Sequence, residues 1–215
     1  MARGKFITFE GGEGAGKSTQ VRLLAERLRL VGHAALETRE PGGSPFAEQV
    51  RALILDPATA PHGPLSEAFL FSAARADHLE RTILPALAAG TCVVSDRFSD
   101  STRVYQGAAG GLDAATIATL ERLTVAGRGP DLTVILDLAP AIGLARATAR
   151  RRAGHASDGY EARDLAFHER LRAGFLAIAT AESHRCVVVD GALAEAAIAD
   201  QVWRAVTARL ALGPR

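Results

Sequence analysis

Residues 11–18 read Gly-Gly-Glu-Gly-Ala-Gly-Lys-Ser, a match at every position to G-x-x-x-x-G-K-[ST], set between an apolar strand-like run and a helical pattern. Glycines in such a loop let successive backbone N–H groups turn inward around phosphate oxygens, and the positive end of the following helix adds to the attraction. Lys17 is one of only two lysines, the other being Lys5. At this position its ammonium reaches the β and γ phosphates of a nucleotide, while the Ser18 hydroxyl faces Mg²⁺. The expected nucleotide-binding residues are therefore Gly11, Gly12, Glu13, Gly14, Ala15, Gly16, Lys17, Ser18 and Thr19, with Ser18 also a metal ligand. A phosphate cradle alone is shared by kinases, GTPases and motor ATPases. The guanine-reading Asn-Lys-x-Asp segment of a GTPase is excluded, because the chain contains no asparagine.

Other reactive side chains stand where apolar runs end. Arg39, in Thr-Arg-Glu-Pro-Gly-Gly, sits where a strand gives way to a turn, so its planar fork can grip a phosphate bidentately. Asp96 and Arg97 close the run Thr-Cys-Val-Val-Ser. There Asp96 can help hold Mg²⁺ through water, and Arg97 can neutralise charge between donor and acceptor phosphates. Over 65–89, Leu65, Phe69, Ala73, Ala76, Leu79, Ile83 and Leu87 form an apolar stripe at helical spacing. Phe71 lies about 200° around the helix from Phe69 and shares a face with Arg75 and His78. An aromatic beside an arginine there can stack a base and hydrogen-bond its edge. Arg146, Arg150, Arg151 and Arg152 crowd the end of another helical pattern, a place where solvated cations are ordinarily favoured by the macrodipole.

The elements that must position these residues alternate. Lys5–Glu10, Ala34–Arg39, Thr91–Asp96, Asp131–Leu138 and Arg185–Asp190 read as strands; 17–31, 45–54, 65–89, 113–126, stretches on either side of 153–160, and 194–211 read as helices. Such alternation predicts an α/β fold with a parallel sheet covered on both faces. At 215 residues, with 48% hydrophobic residues, one domain over 1–215 is expected. Net charge is +1, so no general attraction to nucleic acid or membrane is expected. The N-terminus lacks an apolar leader and no stretch is long enough to span a membrane, which predicts a cytoplasmic protein. Cys92 and Cys186 lie in strand-like runs and are expected as buried free thiols.

Together, Phe9–Thr19, Thr38–Gly43, Phe69–His78, Ser95–Gly107 and Gly129–Leu138, with a weaker stretch over 158–175, resemble the thymidylate kinases, P-loop nucleoside monophosphate kinases. The resemblance implies five parallel strands, a mobile lid near 146–160, ATP as donor, dTMP as acceptor, Mg²⁺ and a homodimer. It implies that Arg39 and Arg97 hold the acceptor phosphate, that Phe71 and Arg75 bind thymine, and that Glu13 faces the sugar 3'-hydroxyl. Ser101, Tyr105 and Gln106 come from the family's Ser-Ser-x-Ala-Tyr-Gln-Gly, here Ser101 to Gly107 with Thr102 and Val104 as departures. Tyr105 would stand where a 2'-hydroxyl clashes. One family branch carries a catalytic arginine in the glycine loop; this chain has Gly14, which implies the branch with lid arginines, here Arg146, Arg150, Arg151 and Arg152. The family's Asp-Arg-Phe-Glu lid segment reads Asp158, Gly159, Tyr160, Glu161. A P-loop kinase acting on another nucleoside monophosphate or small acceptor is the alternative, and a nucleotide-switched binding module is a second; turnover over a panel of acceptors separates them.

Overall fold

The structure, a computed structural model, describes residues 3–56, 58, 62–152 and 159–213, without the side chains of 150–152 and 159. In chain order its elements begin with β1 (Phe6–Gly11), α1 (Lys17–Leu30), β2 (Ala35–Arg39), α2 (Pro45–Leu55) and α3 (Pro64–His78). A widened turn at Leu79–Ile83 leads from α3 into α4 (Leu84–Ala88), followed by β3 (Cys92–Asp96) and α5 (Ser99–Thr102), which a second widened turn, Arg103–Ala108, extends. Then come α6 (Ala114–Thr124), β4 (Leu132–Asp137), α7 (Pro140–Arg152), a tight turn at Gly159–Ala162, α8 (Leu165–Ala181), β5 (Cys186–Asp190) and α9 (Glu195–Leu210).

The five strands form one parallel sheet in the order β2-β3-β1-β4-β5, as expected from the alternation. Because strand side chains alternate, Ile7 and Phe9 of β1 point into a core with α1 and α9, made with Leu24, Leu28, Val202 and Val206. Phe6, Thr8 and Glu10 take the opposite face. There Phe6 packs with Leu79, Ile83 and Leu87, while Phe167, Leu171 and Phe175 of α8 cover Ile135. Both faces of the central strands are closed, so β1, Phe6 to Gly11, is buried throughout. The chain leaves β1 toward β2 and leaves the adjacent β3 toward β4. Between the ends of those two strands lies the crevice where open α/β sheets bind ligands.

The apolar stripe expected along 65–89 holds only from Leu79 onward. Ahead of it Leu65 and Phe69 are 47% and 55% exposed, whereas Ala68, Ser72, Arg75 and His78 are buried. The face read as outward is the inner one. The widened turn has a cause in sequence: Pro85 has no N–H to return to Arg81, and the Leu84 N–H reaches Leu79 O, five residues back. Cys92 and Cys186 are buried free thiols. Among the described residues no helix is long and apolar enough to cross a membrane.

Candidate active site

The loop from β1 to α1 forms one wall of a concavity through residues Glu13 to Thr19. Gly14 and Gly16 have φ of 67° and 91°, the left-handed region that glycine enters without strain. A Cβ on Gly14 would lie 2.1 Å from the Gly143 carbonyl oxygen of α7, and one on Gly143 would lie 2.2 Å from Glu13 O. Lys17 is buried, and its ammonium donates to Gly11 O at 3.2 Å and Gly12 O at 2.8 Å. Burial lowers its pKa, and Arg97 adds to that, against Glu13 and Asp96. Ser18 Oγ donates to Asp96 Oδ2 across the gap between α1 and β3. This pair offers hard oxygens facing the loop, and among the described residues there is no cluster of three or more His, Cys, Asp or Glu to build a dedicated metal cage. Two such oxygens fit Mg²⁺, which is commonly held by one or two protein groups together with phosphates and water.

Arg97 follows β3 with φ of 69°, a conformation uncommon outside glycine. Its Nη2 donates to Glu13 Oε1 at 2.7 Å, and Nη1 donates to Gly11 O and to Ser101 Oγ, both at 3.2 Å. The guanidinium carbon stands 4.9 Å from the Tyr105 ring centroid, over the ring, and the Tyr105 hydroxyl donates to the same Glu13 oxygen. Burial would raise the Glu13 pKa, but Arg97, then Lys17, and the Tyr105 hydrogen bond hold it down to about 2. Glu10, three residues earlier, goes the other way. Burial and the nearby Asp100 push it up to about 7, against Arg97 and the Ser101 and Phe98 donors.

Beyond Arg97 opens a cleft of about 400 Å³, walled by the glycine loop from Glu13 to Thr19 and by Arg39, Phe71, Arg75, Asp96, Ser101, Tyr105 and Gln106. Gly11 and Gly12 line a smaller pocket beneath the loop instead. Arg39 is exposed, and its Nη2 donates to both Glu48 oxygens, at 3.1 and 3.0 Å. Phe71 packs against α2 beside Val50 and Ile54 while still forming cleft wall. Arg75 is only 3% exposed, tied through Nε to Glu40 Oε2 at 2.7 Å and through Nη2 to Thr102 Oγ1 at 3.0 Å. Tyr105 is both wall and core, edge-on to Tyr160 and Phe175. Gln106 Nε2 donates to Glu67 Oε2 and to the Tyr160 hydroxyl.

Further wall residues are not singled out for a role by the sequence. Glu40, Arg51, Thr102, Tyr160 and Glu161 all line the cleft; Glu40 lay in plain view inside the Thr-Arg-Glu-Pro-Gly-Gly motif, whereas Arg51 sits on a helix with nothing in its spacing to mark it. Of the arginines expected from the lid, Arg146 donates through Nη1 to Gly191 O at 3.2 Å, and Ala147 forms the cleft wall there. The side chains of Arg150, Arg151 and Arg152, and residues 153–158, lie outside the described residues.

This geometry agrees with comparison to known proteins. The sequence profile of the family described as "Thymidylate kinase" matches residues 9–202. A thymidylate kinase of Caulobacter vibrioides is 51% identical over 212 residues, covering 99% of this chain and 100% of that one. One of Nitrobacter winogradskyi is 52% identical over 204 residues, covering 95% and 88%. The crystal structure of thymidylate kinase from Ehrlichia chaffeensis superposes with a TM-score of 0.76 at 33% identity, covering 95% of this chain and 99% of that one. The chain belongs to the thymidylate kinase family, enzymes that use ATP to phosphorylate dTMP to dTDP.

Proposed function

We propose that the residues assembled here carry the family's reaction as follows. MgATP lies along Gly11–Thr19 with its β and γ phosphates at Lys17, which exchanges its two carbonyl partners for phosphate oxygens. Ser18 and Asp96 would hold Mg²⁺, which supplies positive charge at the phosphates when bound. dTMP enters the cleft with thymine against Phe71 and near Arg75 and Gln106, its sugar against Tyr105 and Glu13, and its phosphate reached by Arg39 and Arg97. An acceptor phosphate oxygen attacks the γ phosphorus, the bond from that phosphorus to the β-bridging oxygen breaks, and ADP leaves. No side chain need act as base, because the acceptor oxygen is already anionic. The protein's work is positioning and neutralising the charge on the transferred group.

The observation that carries this reading is Arg97. One partly buried guanidinium touches the carbonyl of Gly11 in the donor loop and Glu13 at the mouth of the acceptor cleft. Gly14 supports a lid source for further positive charge, since no side chain fits at that position, and Arg146, Arg150, Arg151 and Arg152 are the candidates, with Arg146 bonded to Gly191 O. The same reading has the chain as one catalytic domain with a lid near 146–160, in the cytoplasm, acting as a homodimer. The exposed Phe46 and Leu53 of α2 and Phe69 of α3 give an apolar face suited to a second copy. A coupled ADP assay over a panel of nucleoside monophosphates tests the reaction: turnover with dTMP well above the rest is expected, and turnover with no added acceptor would point to a nucleotide switch instead. Sedimentation of the purified protein tests the dimer.

A further inference from the structure

Glu10 is fully buried and, among the described residues, has no directly bonded cation. It ends the face of β1 that looks away from α1, and its carboxylate meets the chain just after Arg97. Oε1 accepts the N–H of Phe98 at 2.8 Å and that of Ser101 at 3.2 Å; Oε2 accepts from Ser101 Oγ at 2.6 Å. Ser101 Oγ in turn accepts from Arg97 Nη1. If β1 needed only packing at this point, an apolar side chain would serve better than a desolvated carboxylate. The carboxylate sits instead where the backbone must be forced. The φ of 69° at Arg97 is a conformation that persists only when its surroundings over-determine it. Arg97 N donates to Phe9 O and Ser95 Oγ donates to Arg97 O, which fix the strand side of the bend. On the far side the clamp is Glu10.

We propose that Glu10 is a positioning residue for phosphoryl transfer, holding the Arg97 guanidinium at the phosphates by gripping Phe98 and Ser101 and by orienting the Ser101 hydroxyl that Arg97 bonds. The proposal rests on the reading of Arg97 given above. It assigns Glu10 no contact with substrate. The grip depends on reach and on acceptor atoms rather than on charge, because all three partners are neutral donors.

Two substitutions separate reach from charge. Glu10→Gln keeps the chain length and an oxygen for both N–H groups while losing the charge, and its Nε2, standing where Oε2 was, donates to Ser101 Oγ so that the hydroxyl stays tied with the bond reversed; Glu10→Asp keeps the charge but draws it back by one methylene. A misplacement of about 1 Å can cost about 100-fold, so kcat of Glu10→Asp is expected to fall by roughly 30-fold or more. The KM for ATP should change by less than about 3-fold, and Glu10→Gln should keep kcat within about 5-fold of the parent. In an Arg97→Ala background Glu10→Asp should cost less than about 2-fold further, since residues acting as a unit are not additive.

The proposal is overturned by a folded Glu10→Asp enzyme at the parent kcat, or by a Glu10→Asp loss that persists in full without Arg97. Should Glu10→Asp fail to fold, Glu10→Gln decides, and a kcat loss there beyond about 30-fold overturns the proposal. Arg97→Ala measured alone keeps the two readings apart. A parent-like rate for it removes the role of Arg97 and this proposal with it, whereas a slow Arg97→Ala beside an unimpaired Glu10→Asp removes this proposal only.

Discussion

Arg39 and Arg97 leave neighbouring strands at the same level, Arg39 lying opposite Asp96 in the β2–β3 register, yet the protein holds them in opposite ways. Arg97 is 16% exposed, bent into a left-handed backbone and engaged by Glu13, Gly11, Ser101 and the face of Tyr105. Its pKa stands well above the ordinary value because Tyr105, Glu13, Asp96 and Glu10 outweigh the burial that would lower it. Arg39 is 54% exposed and, among the described residues, is held by Glu48 alone, itself 43% exposed, which also accepts from Gly43 N at 2.9 Å. An exposed pair of this kind contributes about 0 to 1 kcal/mol, so a ligand phosphate can displace it readily. On the reading proposed above, the charge assigned to the transfer step is fixed before substrate arrives, and the charge assigned to capturing the acceptor rests on an exposed, exchangeable pair.

Four measurements test whether the two arginines differ in this way. Arg97→Ala should lower kcat by about 1000-fold or more, the scale of a lost transition-state arginine. Arg97→Lys should not restore it, since one ammonium cannot reach both Gly11 O and Glu13. Rates within about 10-fold of the parent for either variant would place Arg97 beside Arg39 as a mere binding group.

The second measurement is of stability against pH. The Glu13 pKa is depressed in the fold from 4.5 to about 2, so its stabilisation is present above 4.5 and is lost as pH falls toward 2. A shift of that size corresponds to about 3 kcal/mol. Glu13→Gln should therefore flatten the acid limb of the melting curve relative to the parent. Glu10 works in a separate window: its raised pKa makes a contribution that is complete below 4.5 and fades as pH rises through about 7. An unchanged acid limb in Glu13→Gln would mean that Arg97 is not held by this carboxylate.

Third, replacing Arg146, Arg150, Arg151 and Arg152 together by Gln should cost at least about 100-fold in kcat, about 2.7 kcal/mol of transition-state stabilisation, with little change in dTMP affinity. Arg146→Gln alone should be nearly silent, because that side chain is occupied by Gly191 O. More than half the parent kcat in the quadruple variant would return the cluster to a solvated helix end. Last, Arg39→Ala should raise the KM for dTMP by about 10-fold, the low end for a charge-assisted hydrogen bond, with kcat less affected. A larger fall in kcat than rise in KM would make the two strand-end arginines alike.

What could be read in the sequence followed from how each feature announces itself. The glycine loop is legible because a phosphate cradle needs particular residues at fixed spacing, and the strands because apolar runs end abruptly at Arg39, Asp96 and Asp190. The helix over 64–88 was misread in its first half for a physical reason. Its buried positions hold Ala68, Ser72, Arg75 and His78, small or polar groups that apolar periodicity does not count, while Leu65 and Phe69 form a stripe that the chain's own core does not cover. The partner that makes Arg75 buriable, Glu40, lies 35 residues earlier and is chosen by the fold. Glu10 is silent for the same reason: at the end of an apolar strand it reads as the first solvated residue, and only the return of the chain after β3 encloses it.

The contact between Gly14 and Gly143 bears on how such an enzyme could change over generations. Two backbones meet there with no room for a Cβ on either side, so an arginine cannot be introduced into the phosphate loop by one substitution. The helix at Pro140–Arg152 would have to retreat in the same step, carrying its own arginines with it. Moving a cation from that helix to the loop is thus a coordinated change of two segments, and single mutants at position 14 are expected to be dead ends, a loss of folding that a melting curve of Gly14→Arg would show.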